Sequence, residues 1–284
     1  MSEWNLEDNK KITYHHMMDE IVYSEEDIDT LREKLIQKLR NHSLDEYEIN
    51  RLFGHEVDTE YMRHFWAERA KTHKLNEGLT NLEEDSELLR LKMQKELPKM
   101  KQYIQPSKDM KMLDLGSGYG TWAFEFAEHV KLVHAVDYEE KMVKLGRDRA
   151  KQEGIDNIEF FISSVQKYTS DILYDIIILS AVCIYLNDND IKQMLKHMEQ
   201  YIHPGTILVL RDSTGLHDRY VIYKEYSERL GTMYSATYRT RDEYIKLFGS
   251  IGFELIQDED MFEQGSPLNR YKETRLRIYK FKKK

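Results

Sequence analysis

Residues 112–122, MLDLGSGYGTW, run from an apolar stretch containing Asp114 through glycines at 116, 118 and 120 into the start of a helical segment. Glycine is needed where a chain turns sharply from strand to helix, and where a ligand must approach the backbone with no Cβ in the way. Such a loop constrains the chain to a fold built on a strand–loop–helix unit. A second residue gives it direction: Asp137 lies 21 positions after Gly116, at the end of the next predicted strand, where a carboxylate can accept both hydroxyls of a ribose. The dinucleotide fingerprint G-x-G-x-x-G would need a third glycine at position 121, which is Thr121, so a pyrophosphate on the helix N-terminus is not specifically supported. The pattern G-x-x-x-x-G-K-[ST] of triphosphate sites is absent. A tight βα turn with no ligand is the competing reading of the loop by itself.

Around this loop the chain has two textures, which divide near residue 106. Before it, apolar residues recur at helical spacing. Ser24 and Asp27 make a capping-box pattern ahead of a helix over about 25–41, and Ser43 and Glu46 repeat it before Tyr47, Ile49 and Leu52. Asp58 or Thr59 can cap a helix carrying Tyr61, Phe65, Trp66 and Ala70. A last helix, over about 85–104, contains Pro98, which predicts a kink or an early end. After Pro106, short apolar runs alternate with helical segments, the pattern of a parallel α/β sheet. Strands are predicted near 110–115, 132–137, 158–162, 174–179, 206–211, 253–258 and 275–282, with helices near 121–129, 139–153, 188–202 and 241–251. The expected organisation is a helical N-terminal cap over 1–106 and an α/β core over 107–284, with a 213–240 insertion.

Composition removes several classes. The formal net charge of −9 argues against a non-specific grip on nucleic acid or an anionic membrane. The sole cysteine, Cys183, excludes an intramolecular disulfide, and no stretch reads as a signal peptide or membrane span, so a soluble cytoplasmic protein is expected. His15 and His16 are adjacent and lack partners at ligand spacing, so no metal site is expected.

Several segments in order resemble the class I S-adenosylmethionine-dependent methyltransferases. MLDLGSGYG resembles that family's first motif and HAVDYEEKMVKLGRDRAKQEG its second, while NIEFFISSVQKY, YDIIILSAVCIYLNDNDIKQML and IHPGTILVLRDS resemble the third, fourth and fifth. The resemblance covers about 107–284 and implies a Rossmann-like, doubly wound, mostly parallel seven-stranded sheet with helices on both faces. It also implies S-adenosylmethionine as cofactor, leaving S-adenosylhomocysteine as product. On the matching positions, Asp114, Gly116, Ser117, Gly118 and Gly120 would form the cofactor loop. Asp137 and Tyr138 would meet the ribose, and Met142 would lie against the adenine. Many relatives have an acidic residue after the third strand where this chain has Ser163 and Ser164, so Ser164 or the backbone near Val165 would hold the adenine amino group. Pro204-Gly205-Thr206 replaces the family's frequent Pro-Gly-Gly. FWAERAKTH, 65–73, resembles the stretch that reaches the methionine end of the cofactor. Trp66 could wall the pocket there and Arg69 pair with the carboxylate; an amphipathic helix with Trp66 in the core and Arg69 in solvent is the alternative.

Methyl transfer from a sulfonium needs alignment of nucleophile, methyl carbon and sulfur, with water kept out; a base is optional. Residues after the fourth and fifth strands should face the reacting centre: Ser180, Ala181, Tyr185, Arg211, Asp212, Ser213 and His217. Ser180 is assigned to the cofactor. His217 and Asp212 are the candidates for proton handling, against His217 as an ordinary loop residue, and Tyr185 either hydrogen-bonds the acceptor or packs. The 213–240 insertion interleaves Tyr220, Tyr223, Tyr226, Tyr234 and Tyr238 with Arg219, Arg229 and Arg239 and reads as a lid; its alternative is a helix whose tyrosines pack on the sheet. Arg211, Tyr234, Tyr238 and Arg239 are the substrate-binding candidates, suited to a polar, anionic or carbohydrate-like acceptor, with Arg270 and Arg275 as further basic residues. The expected function is methyl transfer to N or O of a polar small molecule. The competing readings are a nucleic-acid or protein methyltransferase of the same fold and a non-catalytic S-adenosylmethionine-binding protein. The oligomeric state is open, a homodimer being one option.

Overall fold

A computed structural model describes residues 57–72, 82, 85–228, 230–269 and 271–284, with isolated positions at 33, 37 and 41. The chain divides into two compact units, Met1–His55 and Glu56–Lys284, and the account below concerns the second. Apart from those isolated positions, the helices expected at 25–41 and 47–52 lie outside the described residues, as do His15, His16, His73, Arg229 and Arg270.

Helix α1, Thr59–Thr72, starts where Asp58 Oδ1 accepts the Tyr61 N–H at 2.9 Å. Helix α2, Ser86–Ile104, is capped by Asp85, whose side chain accepts from the N–H groups of Glu87 and Leu88. It runs through Pro98 instead of ending there, because Met100, Tyr103 and Ile104 beyond the proline are buried against Met112, Val133 and Val209 of the sheet. Both α1 and α2, which the sequence pattern groups with the cap, fall in the same compact unit as the sheet.

Strand β1 is Lys111–Leu115, followed by α3 (Thr121–Ala127), β2 (Leu132–Asp137), α4 (Glu140–Glu153), β3 (Ile158–Ile162) and β4 (Ile176–Ser180). A short 3-10 turn, Cys183–Tyr185, leads to α5 (Asp188–Met198) and β5 (Ile207–Gly215). A hairpin of β6 (Tyr220–Ser227) and β7 (Thr232–Tyr238) comes next, before α6 (Arg241–Gly249), β8 (Phe253–Asp260) and β9 (Thr274–Lys283). Seven strands form one sheet in the order β3-β2-β1-β4-β5-β9-β8, parallel except for β9, which runs antiparallel to both neighbours.

Strand side chains alternate between faces, so each apolar strand buries both. In β4, Ile177 and Leu179 join a core with α5 and α6, while Ile176 and Ile178 face α2, α3 and α4. The sheet is therefore covered on both sides, as a doubly wound fold requires. Strand order reverses between β1 and β4, and ligands in such folds bind outside the strand ends at that switch point.

The 213–240 insertion is a β-hairpin, not a helix. Tyr220 pairs with Tyr238 and Ser227 with Thr232, and the register shifts between Ile222 and Glu225, where Lys224 takes a positive φ of 51°. Ile222, Tyr234 and Tyr238 of the hairpin pack with Val57, Met62 and Phe65 of the α1 region and with Ile184 and Tyr185 after β4. This arrangement closes one side of the switch point.

Candidate active site

The loop after β1 is bent by its glycines. Gly116 has a φ of 77°, and a Cβ there would stand 2.4 Å from Val182 Cγ2. Gly120, at a φ of 94°, caps α3. The N–H groups of Gly116 and Ser117 both bond Val136 O, at 2.8 and 2.9 Å, which folds the loop back on the end of β2. There the Asp137 carboxylate accepts the Gly118 N–H at 2.8 Å and the Glu139 N–H at 2.9 Å. Burial raises its pKa to about 6, and the two N–H groups oppose that rise.

A cavity of about 310 Å³ opens at the switch point, within the size range of small-molecule sites. Gly116, Ser117, Gly118, Asp137, Tyr138, Met142, Ser164 and Val165 line its β1–β3 side. Ser180, Tyr185 and Arg211 line the other side, with Trp66 from α1 and Tyr234 and Tyr238 from the hairpin. Trp66 meets Tyr185 edge-on at 5.7 Å, and the Tyr185 and Tyr234 hydroxyls are 3.0 Å apart. Burial pushes the Tyr185 hydroxyl far above an ordinary phenol, so it stays protonated.

Other sequence candidates fall elsewhere. Asp114 is buried behind the loop, accepts the Ala123 N–H and is raised to about 7 by burial, but does not line the cavity. Arg69 is buried beside the Phe65 ring, outside the cavity lining. Arg239 is wholly buried: Nε and Nη2 bond Asp188 Oδ1, Nη1 bonds Cys183 O and Nη2 also bonds Leu186 O. It ties the hairpin to the turn after β4 and does not reach the cavity.

His217 and Asp212 are not brought together. Strand β5 continues to Gly215, past the predicted end at 211, so alternation turns Arg211 to the cavity and Asp212 to the opposite core. There Asp212 accepts the Tyr244 hydroxyl at 3.1 Å, and burial raises its carboxyl to about 7. His217 is exposed in the turn after β5 and does not line the cavity. Cys183 is buried.

The cavity also contains residues the sequence reading missed. Lys92 and Glu96 come from α2, Trp122 from α3, and Asn269 and Tyr271 from the loop before β9. Glu96 is 1 % exposed and gives an oxygen to Arg211 Nη2 at 2.5 Å. Its signal was a charged residue set among Met93, Leu97 and Met100 of an apolar helix face.

The donor set fits S-adenosylmethionine. Ser164 Oγ and Thr121 Oγ1 are buried in the cavity wall without protein partners, as hydroxyls waiting for a polar ligand would be. Asp137 would take the ribose hydroxyls, Met142 and Val165 would flank the adenine, and the glycine loop would admit the chain that links sulfur to ribose. Among the described residues, no cluster of His, Cys, Asp or Glu could hold a metal, and no helix is long and apolar enough to cross a membrane.

Known proteins agree with the fold and cofactor side. The sequence matches the family described as "Methyltransferase domain" over residues 106–252, just over half of its 284 residues. A 23S rRNA (uracil(1939)-C(5))-methyltransferase of Marinomonas sp. (strain MWYL1) is 32% identical over 72 residues, 25% of this chain and 16% of that protein. Phosphoethanolamine N-methyltransferase 1 of Triticum aestivum is 23% identical over 168 residues, 58% of this chain and 32% of that protein. The chain thus spans about a third or less of the length of the curated relatives it matches. A structure of Haemonchus contortus phosphoethanolamine N-methyltransferase 1 with phosphoethanolamine and S-adenosylhomocysteine superposes with a TM-score of 0.61 at 16% identity, covering 78% of this chain and 48% of that one. With its doubly wound sheet, its glycine loop and the match over residues 106–252, the chain belongs to the class I S-adenosylmethionine-dependent methyltransferases, a family of enzymes.

Proposed function

We propose that this protein transfers a methyl group from S-adenosylmethionine to N or O of a polar small molecule. The observation that carries the reading is a single cavity running from the Asp137 side to a wall of Trp66, Tyr185, Tyr234 and Tyr238, with α1 and the hairpin contributing to its lining. The hairpin acts as the lid. When bound, the cofactor supplies a methyl group already activated on sulfur. What the chain adds is alignment and exclusion of water.

No histidine lines the cavity among the described residues, Tyr185 stays protonated and Glu96 is engaged by Arg211. With Asp137 assigned to the ribose and Glu139 capping α4, the acceptor enters with its lone pair available, as a neutral amine or an ionised oxygen, and no residue acts as a dedicated base. Two of the relatives described above are named for phosphoethanolamine, a small molecule with both an amine and a phosphate, which makes it the first acceptor to try. The buried lone Cys183 fits the cytoplasmic setting expected from the sequence.

The test follows release of S-adenosylhomocysteine when the protein meets fractions of a cell extract. Release with the low-molecular-weight fraction is the expected result. Release only with RNA or protein would replace the reading with a macromolecular methyltransferase, and tight cofactor binding without any release would replace it with a sensor.

A further inference from the structure

On the β5 and β9 side of the switch point, the cavity wall holds hydrogen-bond donors without acceptors. Ser180 ends β4 in register with Arg211 of β5. Its Oγ accepts from Trp122 Nε1 at 2.9 Å and from Arg211 Nη1 at 3.3 Å. A serine hydroxyl has two lone pairs and one proton, so with both acceptor positions taken its O–H is left to donate. Arg211 is 6 % exposed; its Nη2 is held by Glu96, while its buried Nε–H has no partner. Lys92 Nζ stands 4.0 Å from Glu96 Oε1. All five of these side chains line the same cavity.

Arg277 also has a buried Nε–H without an acceptor, but Arg211 belongs to the cavity wall, where a bound oxygen would supply one. We propose that Ser180, Arg211 and Lys92 form an oxyanion-binding subsite that takes a carboxylate or phosphate of the methyl acceptor. Trp122 and Glu96 position the serine and the guanidinium. The inference rests on the small-molecule reading above and narrows it to acidic acceptors. Glu96 stands within ion-pair distance of both Arg211 and Lys92. A site built on so few cations suits one anionic group on a small molecule better than the many phosphates of a nucleic acid. It also moves Ser180 from the cofactor, where the sequence reading put it, to the acceptor.

Inorganic phosphate and malonate, titrated calorimetrically into protein saturated with S-adenosylhomocysteine, test the subsite. At least one of them is expected to bind, and whichever binds more tightly identifies the acid group. Ser180→Ala should weaken that binding at least fivefold and the double variant Glu96→Gln/Arg211→Gln should remove it, with S-adenosylhomocysteine affinity held within threefold. Ser180→Ala removes one oxygen only, so it decides the matter even if the double variant fails to fold. The proposal is overturned if neither anion binds once the cofactor site is full, or if Ser180→Ala binds the anion as tightly as the unaltered protein. It is also overturned if anion and S-adenosylhomocysteine affinity fall together, which would put the cofactor's own carboxylate on Arg211. The small-molecule reading is judged separately, by release of S-adenosylhomocysteine with the low-molecular-weight fraction.

Discussion

Asp137 Oδ2 accepts the Gly118 N–H at 2.8 Å, so the carboxylate that ends β2 is fastened to the middle glycine of the loop that follows β1. The residue expected to hold the ribose and the loop expected to admit the cofactor are thus one rigid unit. The remaining lone pairs of the carboxylate are free to accept ligand hydroxyls.

Asp137→Ala removes the carboxylate from that unit. Two hydrogen bonds from ribose hydroxyls to a carboxylate are together worth about 3 kcal/mol, so S-adenosylhomocysteine affinity should fall about 100-fold in calorimetry. Unchanged affinity would remove Asp137 from the site.

The raised pKa of Asp137 predicts a pH dependence. Hydroxyl donors need the ionised carboxylate, which in the ligand-free protein forms as pH rises through about 6. S-adenosylhomocysteine affinity should level off above that value and weaken up to tenfold per pH unit below it. The same shift has the opposite sign for the ligand-free fold. A folded-state pKa above the ordinary 3.8 means that the folded chain binds the proton more tightly than the unfolded one, so this group lowers stability as pH rises toward 6. The stabilisation conferred by the ligand in thermal unfolding should therefore grow with pH across that window, and in Asp137→Asn this growth should vanish.

Gly116 gives a prediction about geometry. Gly116→Ala places a Cβ 2.4 Å from Val182 Cγ2 at a φ of 77°. The left-handed backbone costs about 1 kcal/mol and the clash about 1–3 kcal/mol. Adding Val182→Ala should recover part of the clash and none of the backbone term, measured as a double-mutant cycle in urea unfolding. Strict additivity would show that the two positions do not touch.

Arg239, a substrate candidate on sequence grounds, behaves in the structure as a clamp. Arg239→Gln takes the guanidinium donors from Asp188 Oδ1 and from the Cys183 and Leu186 carbonyls, while Asp188 Oδ2 keeps Arg219, and unfolding free energy should drop by about 3 kcal/mol. If stability holds and only the KM for the acceptor rises, the side chain serves the substrate after all.

These cases show what the chain discloses before folding. The central strands β1, β2, β4 and β5 are readable because a doubly covered sheet needs apolar runs such as IIIL at 176–179, while β8 and β9 toward the sheet's edge show apolar residues interleaved with charged ones. The hairpin is harder: in YVIYKEYS the alternation is broken by the bulge at Lys224, and tyrosines suit a buried or an exposed face equally. Asp212 and His217 looked like partners because both follow the fifth apolar run. Four extra residues of β5, up to Gly215, turn one into the core and carry the other into an exposed turn. Glu96 and Asn269 lie far from the motifs in sequence and reach the cavity only through packing of α2 and the β8–β9 loop.

The most direct test of the account is a crystal structure with S-adenosylhomocysteine bound. The account predicts ribose hydroxyls within hydrogen-bond distance of Asp137 and the homocysteine sulfur facing the wall of Tyr185 and Tyr234. A ligand lying elsewhere, or one that leaves Asp137 bonded only to the N–H groups of Gly118 and Glu139, would contradict it.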